Sequence, residues 1–345
     1  MNSASGVAVV KLLDRLLEGE SIGEAEAFGL MHALAGGEVP PALAGALLAA
    51  LRAKGETAEE IRGFATAMRQ LAVQPVVPPG AATVDTVGTG GDGSGSFNLS
   101  TGTGLLAAAC GARVVKHGNR SVSSRCGSAD LLERLGMPLP LEEKAAMASL
   151  DALNFTFLFA PAYHPAMKAI APVRSAMGVR TVFNLLGPLT NPAAPAYQLI
   201  GAFSPGAARL MAETLSGMPL QRAFVVHGDC GWDEASPISE FLLYDVRPGK
   251  VLQTRRSPED YGFTRCRAED LAGGDAAHNA RELERVFCGD DKGAHRDALL
   301  MGTSLVLEVT GQVTDAREGV ALAAATLDSG KASAFLDDFR KHFAS

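Results

Sequence analysis

Apolar and polar positions recur with two different periods along this chain, and the change from one to the other falls near Pro75. Ile61, Phe64, Ala65, Met68, Leu71 and Ala72 lie on one face at helical spacing, which predicts a helix with one buried side. Thr57 with Glu60, and Ser21 with Glu24, read as capping boxes at two helix starts. Pro40 and Pro41 open a further helix that runs to about Lys54. No strand pattern precedes Pro75, and the proline-rich stretch Gln74 to Gly80 reads as a boundary.

Beyond that boundary short β-type runs alternate with helical ones. Val84–Val87, Arg113–Lys116, Phe155–Phe159, Tyr197–Phe203 and Ala223–His227 read as strands. Ser100–Cys110, Ala129–Leu135, Pro140–Leu153, His164–Met177 and Ala207–Leu215 read as helices. The alternation predicts an α/β fold: a mostly parallel central sheet covered on both faces by helices. Pro248-Gly249 marks a turn between two more β-type runs, Phe241–Val246 and Val251–Thr254, and from about Ala276 the chain returns to helices.

Composition narrows the class. With 345 residues, 47% apolar, the chain is long enough for two structural units or one large α/β unit and has ample material for a core. A formal net charge of −7 argues against a nucleic-acid-binding surface. Five cysteines with no C-x-x-C pair argue against a disulfide framework or a zinc site. The first ten residues lack the basic start of a signal peptide, and the uncharged run Gly93 to Ala112 is too rich in Gly, Ser and Thr for a membrane span. The expectation is a soluble cytoplasmic protein.

The first chemical signal follows the run Val84–Val87 directly. Gly88-Thr89-Gly90-Gly91-Asp92 opens a segment with seven glycines between positions 88 and 104. Such a loop exposes backbone N–H groups and can approach phosphate oxygens closely. A helix beginning near Ser100-Thr101 turns its positive end the same way. The spacing is neither a P-loop nor G-x-G-x-x-G. Asp92 beside phosphates would act through a cation; taken alone, the segment also reads as a tight turn with an Asp cap.

Lys116 to Ser124 follow the next strand and bring together two cations, a His, an Asn and three hydroxyls. The ends of strands are where α/β sheets bind ligands. Singly, Lys116 and Arg120 read as solvated, His117 as a structural hydrogen bonder, and Ser123-Ser124 as a cap. Ser128 or Asp130 reads as an N-cap of the following helix, and Ser128 could also donate to a phosphate. Cys126 has no partner arrangement for nucleophilic chemistry and reads as an inert thiol. Arg174 could grip a carboxylate with its planar fork, or be a surface or ion-paired arginine. Asp233-Glu234 suit Mg²⁺, whose ligands are oxygens, or form an ordinary acidic turn. The segment Asn184 to Pro192 reads as a rigid crossover without chemistry.

In order and in combination, GTGGDGSGSFNLSTG, KHGNRSVSSRCGSADLLERLG, HPAMKAIAPVRSAMGVRTVFNLLGPLTNPA and HGDCGWDEASPI resemble the anthranilate phosphoribosyltransferase family. The similarity spans nearly the whole chain. It implies the nucleoside phosphorylase/phosphoribosyltransferase type of fold: a small helical domain of residues 1–75 with about 164–190, and an α/β domain of 76–163 and 191–345. It also implies a homodimer through the helical domains, and transfer of the phosphoribosyl group of 5-phosphoribosyl 1-pyrophosphate to the amine of anthranilate on the way to tryptophan.

Carried over by motif, Gly88, Gly91, Asp92, Ser96, Asn98, Leu99, Ser100 and Thr101 would hold the donor. So would Lys116, His117, Gly118, Asn119, Arg120, Ser121, Val122, Ser123, Ser124 and Ser128. Gly88, Asn119 and Arg174 would meet anthranilate, Arg174 at its carboxylate; Ser100, Asp233 and Glu234 would bind Mg²⁺. No catalytic acid or base is implied, because an aromatic amine is neutral at pH 7. Trp232, Ser239-Glu240 and the helix segment Met301 to Ser304 depart from the family's usual pattern. A related nucleoside phosphorylase would need no carboxylate grip, and a non-catalytic nucleic-acid binder would have lost the donor motifs and gained a basic surface. Residues 93–129 and 152–212 each carry four Lys/Arg and no Asp/Glu, so the chain's acidity lies elsewhere, as expected for a positive pocket in an acidic shell.

Overall fold

The structure, a computed structural model, describes residues 3–77, 82–121 and 124–344. Four helices come first: α1 (Ser3–Leu17), α2 (Glu24–Ala35), α3 (Pro41–Lys54) and α4 (Ala58–Leu71). At α4 the capping box forms as its sequence dictates: Thr57 Oγ1 accepts from Glu60 N, and the Glu60 carboxylate accepts from Thr57 N at 2.8 Å. The box expected at Ser21 does not form. Gly23 caps α2, with its N–H on Glu26 Oε2, while Lys54 donates to the Ser21 hydroxyl and Arg62 to the Glu24 carboxylate, the two side chains the box would have used.

The α/β part follows as β1 (Thr83–Gly88), α5 (Leu99–Ala109), β2 (Arg113–Gly118), α6 (Ser128–Arg134), α7 (Glu143–Leu153) and β3 (Phe155–Phe159). Then come α8 (Ala160–Tyr163), α9 (Met167–Met177), α10 (Phe183–Leu186), β4 (Tyr197–Gly201), α11 (Pro205–Ser216) and β5 (Arg222–Gly228). The chain closes with β6 (Phe241–Arg247), β7 (Lys250–Arg256), α12 (Ala276–Phe287), α13 (Ala294–Val309), α14 (Ala316–Asp328) and α15 (Lys331–Ala344). Helix α9 starts later than the expected His164, since a residue before proline avoids the helical region, and this leaves His164 between two helices.

The sheet order is β3-β2-β1-β4-β5-β6-β7, parallel through β5 and antiparallel for the last two strands. Alternation along the strands divides the interior. Phe224, Val226, Phe241 and Leu243 face a core built with α5, α6 and α12–α15. Ala223, Val225, Leu242 and Tyr244 face a second core that runs without a break into α1–α4, α9 and α11. The helical bundle thus packs as the outer layer of one sheet face. The chain passes from β1 to β2 and β3 on one side, then returns to place β4 on the other. The crevice at this reversal, above the carboxyl ends of β1 and β4, is where such sheets bind ligands.

Candidate active site

Two glycines shape that crevice. Gly88 ends β1 and is paired in register with Gly201, which ends β4. A Cβ at Gly88 would lie 2.5 Å from Asp233 Oδ2, and one at Gly201 would lie 1.5 Å from the Asp233 carbonyl oxygen. Only side-chain-free backbone lets the loop after β5 close down here and bring Asp233 to the loop after β1. Asp233 Oδ2 then accepts from Gly90 N at 2.6 Å, and Asp233 N donates to Asp92 Oδ2 at 3.2 Å. Asp92 Oδ1 accepts from the N–H and hydroxyl of Ser94.

These carboxylates crowd one another. Burial and the nearby Asp92 push the Asp233 carboxyl up to about 7. Burial and Asp233 raise Glu234 well above the usual carboxylate range, although Ser100 N–H and Lys116 work against it. Lys116 is buried on β2, and its ammonium donates to the Thr86 carbonyl and, at 3.3 Å, to Ser100 Oγ. Burial lowers its pKa, and Asp85, Glu234 and Asp233 oppose that shift. Crowded carboxylates with a hydroxyl neighbour form an oxygen-only donor set, which fits Mg²⁺, a cation whose charge would offset their mutual repulsion.

Beside this acidic corner opens a cavity of about 500 Å³. Met68 of α4, Phe183 and Leu186 of α10, and Pro188 give it apolar walls; Gly88, His117, Gly118 and Asn119 close the sheet side. Arg174 reaches into it from α9. Its guanidinium lies 4.9 Å from the centroid of the Phe183 ring, and burial lowers its pKa. No acidic side chain among the described residues pairs with it, so its planar fork is available to a ligand carboxylate. His117 and His164 meet edge to face with centroids 5.0 Å apart. Burial first, and for His117 the neighbouring His164, depress them to about 3 and about 4, so both rings are neutral near pH 7. The cavity therefore presents the Arg174 guanidinium in largely apolar walls, with the exposed Lys168 as a second cation in its lining, next to the glycine-rich loop after β1.

The family model of the glycosyl transferase family a/b domain matches residues 80–333, and that of the family's helical bundle domain matches residues 10–72. The chain is 46% identical over 324 residues to the anthranilate phosphoribosyltransferase of Solibacter usitatus, covering 93% of this chain and 95% of that one. The chain belongs to the anthranilate phosphoribosyltransferase family. The crystal structure of the Thermus thermophilus member matches with a TM-score of 0.90 at 42% identity, covering 97% of this chain and 99% of that one. The Saccharomyces cerevisiae member in complex with 5-phosphoribosyl 1-pyrophosphate and Mg matches with a TM-score of 0.87 at 26% identity, over 98% of both chains.

The residues marked by the anthranilate phosphoribosyltransferase motifs fall into three groups. Gly88, Gly91, Asp92, Ser100, Lys116, Asp233 and Glu234 converge around the crevice, and Gly88, His117, Gly118, Asn119 and Arg174 line the cavity beside it. A second group braces the loops. Asn98 donates to the Cys126 carbonyl and accepts from Asn279, which ties the first loop to the segment before α6 and to α12. Ser96 bridges to Ala272, Leu99 and Thr101 are buried on α5, and Ser121 bonds Ser124. Ser128 is the first residue of α6 and not its cap; its hydroxyl donates to the Asn119 carbonyl while Asp130 accepts from Gly127 N. A third group stands apart: the Arg120 guanidinium pairs with Glu133 and Asp130. Val122 and Ser123 lie outside the described residues.

Cys126 is buried, and burial pushes its thiol up to about 11, in keeping with an inert role. Trp232 is buried against the α/β core, Ser239 accepts from Cys230 N, and Glu240 pairs with Arg255 and Arg265, so these departures from the family pattern are absorbed by local packing.

Sequence reasoning missed the segment after α9. Asn184, Gly187, Pro188 and Thr190 roof the cavity, and Asn191 is buried beneath it on Asp85. A usable signal was present: polar Asn and Thr side chains inside an otherwise apolar, proline-containing run. His164 was missed because it was placed inside a helix.

Proposed function

We propose that this enzyme transfers the phosphoribosyl group of 5-phosphoribosyl 1-pyrophosphate to the amine of anthranilate, releasing pyrophosphate, in tryptophan biosynthesis. The observation that carries the reading is Arg174: a guanidinium with no acidic partner among the described residues, in a largely apolar cavity that adjoins the glycine-rich loop after β1. Anthranilate is a planar aromatic carboxylate, and that pairing suits it. A nucleoside base has no carboxylate for Arg174 to hold. The yeast member's complex with the donor and Mg supports the same assignment.

Breaking the anomeric C–O bond leaves positive charge on the ribose ring and negative charge on pyrophosphate. The loop N–H groups after β1 and the Lys116 ammonium stabilise the leaving group without reorganising, since both are held by the fold. Arg174 and Asn119 hold anthranilate so that its amine faces the anomeric carbon, which removes orientational entropy from the step. Neutral His117 and His164 accept or donate hydrogen bonds without adding charge beside the cationic ring. Asp233, Glu234 and Ser100 would hold Mg²⁺, which supplies charge neutralisation for the pyrophosphate when bound.

A homodimer formed through the helical bundle is part of the proposal. No described helix is long and apolar enough to cross a membrane, and a cytoplasmic location is part of the proposal. Mixing the protein with anthranilate, 5-phosphoribosyl 1-pyrophosphate and Mg²⁺ should give donor-dependent loss of anthranilate fluorescence; no loss would overturn the reading.

A further inference from the structure

Arg180 lies in the short link between α9 and α10, outside every motif residue assigned above. Gly178 ends α9 with a positive φ of 62°, and two residues later Arg180 turns toward the loop after β1. Three contacts fix it. Its Nη2 donates to the Gly91 carbonyl, its guanidinium lies 4.4 Å from the centroid of the Phe203 ring, and its own carbonyl accepts from Arg52 Nη1 of α3 at 2.5 Å. Phe203 in turn donates its N–H to Thr89 Oγ1 at 3.0 Å. The loop is therefore gripped at successive residues: Thr89 by Phe203, Gly90 by Asp233 and Gly91 by Arg180.

The Gly91 contact has a directional consequence. In a trans peptide the C=O and the following N–H point opposite ways. Holding the Gly91 carbonyl on Arg180 turns the Asp92 N–H away from the guanidinium, and that N–H has no acceptor among the described residues. Gly91 itself sits at φ 70°, a conformation that glycine leaves freely unless something holds it.

We propose that Arg180 is a positioning residue: it holds the loop after β1 in its phosphate-binding conformation and ties that loop to the helix bearing Arg174. This rests on the donor assignment made above. The test uses Arg180→Ala and Arg180→Lys in the full-length enzyme. Arg180→Ala should raise the KM for 5-phosphoribosyl 1-pyrophosphate about tenfold, the size of one charge-assisted hydrogen bond, with the anthranilate KM and Tm nearly unchanged. Arg180→Lys should recover part of that loss, because it keeps one donor and the charge. Hydrogen exchange of residues 89–95 in substrate-free protein should quicken in Arg180→Ala. Unchanged exchange would overturn a positioning role, even with a raised donor KM, because Arg180 would then act on the donor directly. Equal rises in both KM values with a lowered Tm would overturn it as general structural damage. The exchange measurement needs no substrate, so its outcome is separate from whether wild-type enzyme consumes anthranilate.

Discussion

Asp85 Oδ2 accepts a 2.8 Å hydrogen bond from Asn191 Nδ2, and both side chains are fully buried. Asp85 is on β1, three residues before Gly88, while Asn191 ends the segment that roofs the cavity. The same Asn191 amide donates to the Val115 carbonyl on β2 at 2.8 Å, and Asp85 Oδ1 accepts from His117 N at 3.2 Å. One pair of side chains thus fastens the cavity's roof to the two strands that carry the donor loops. Asn191→Ala strips one oxygen of a buried carboxylate of its partner, and should cost about 1–3 kcal/mol in urea unfolding. Asn191→Asp should cost more, by placing a second acid against the first; equal stability to wild type in either variant would remove the fastening role.

The buried histidines set a pH dependence. His164 falls from 6.5 to about 4 on folding, so the unfolded chain binds the extra proton between those values. Its neutral form contributes stability that is full above about pH 6.5 and is lost as pH falls toward 4. Asp85, raised by burial to about 6, works in the opposite sense, its cost growing as pH rises from 3.8 to about 6. Comparing His164→Gln with wild type isolates the histidine. Its slope of unfolding free energy against pH should be smaller by about 1.4 kcal/mol per pH unit between about pH 4.5 and 6. Parallel slopes would contradict the buried neutral state.

Arg174→Ala should raise the anthranilate KM by roughly ten- to a hundredfold, with the donor KM changed far less, because its fork has no anionic partner among the described residues. Arg174→Lys should restore little, since an ammonium lacks the fork and stacks less well on Phe183. Equal effects on the two substrates in steady-state assays would count against the assignment.

The acidic corner is costly to the fold. With its carboxyl raised to about 7, Asp233 is costly to ionise. Asp233→Asn keeps an acceptor for Gly90 N and gains a donor for Asp92, so at pH 8 without metal it should raise stability by about 1–2 kcal/mol. Asp233→Ala with Glu234→Ala should weaken the Mg²⁺ dependence of the reaction, and Gly88→Ala should do the same, because its Cβ would displace Asp233. Mg²⁺ titrations that superimpose on wild type would sink the metal assignment.

Legibility followed the range of the interactions involved. The Thr57–Glu60 box spans one helical turn and was readable; at Ser21 the side chains of the box are engaged instead by Lys54 and Arg62, each more than thirty residues from its partner. Strands alternating with helices already indicated a sheet covered on both faces; the structure places Phe224 and Val226 against one core and Ala223 and Val225 against the other. Arg120 sits inside a phosphate-type motif, yet its charge is neutralised by Glu133 a helix away. Arg174 showed nothing in its own neighbourhood that told a surface arginine from a ligand grip.

By itself the amino-acid sequence determined the element order, the parallel α/β class, the glycine-rich loop and the family. Those depend on periodicity, chain conformation and motif order, which are local in the chain. Only the tertiary structure decided which groups share a site. It set Asp233 against Gly88, gave Asn191 to Asp85, and set Arg174 over Phe183 with no acidic partner among the described residues. The physical reason is that charge pairing, desolvation and close approach depend on distance in space, and here they join residues about 100 or more positions apart in two of these three cases.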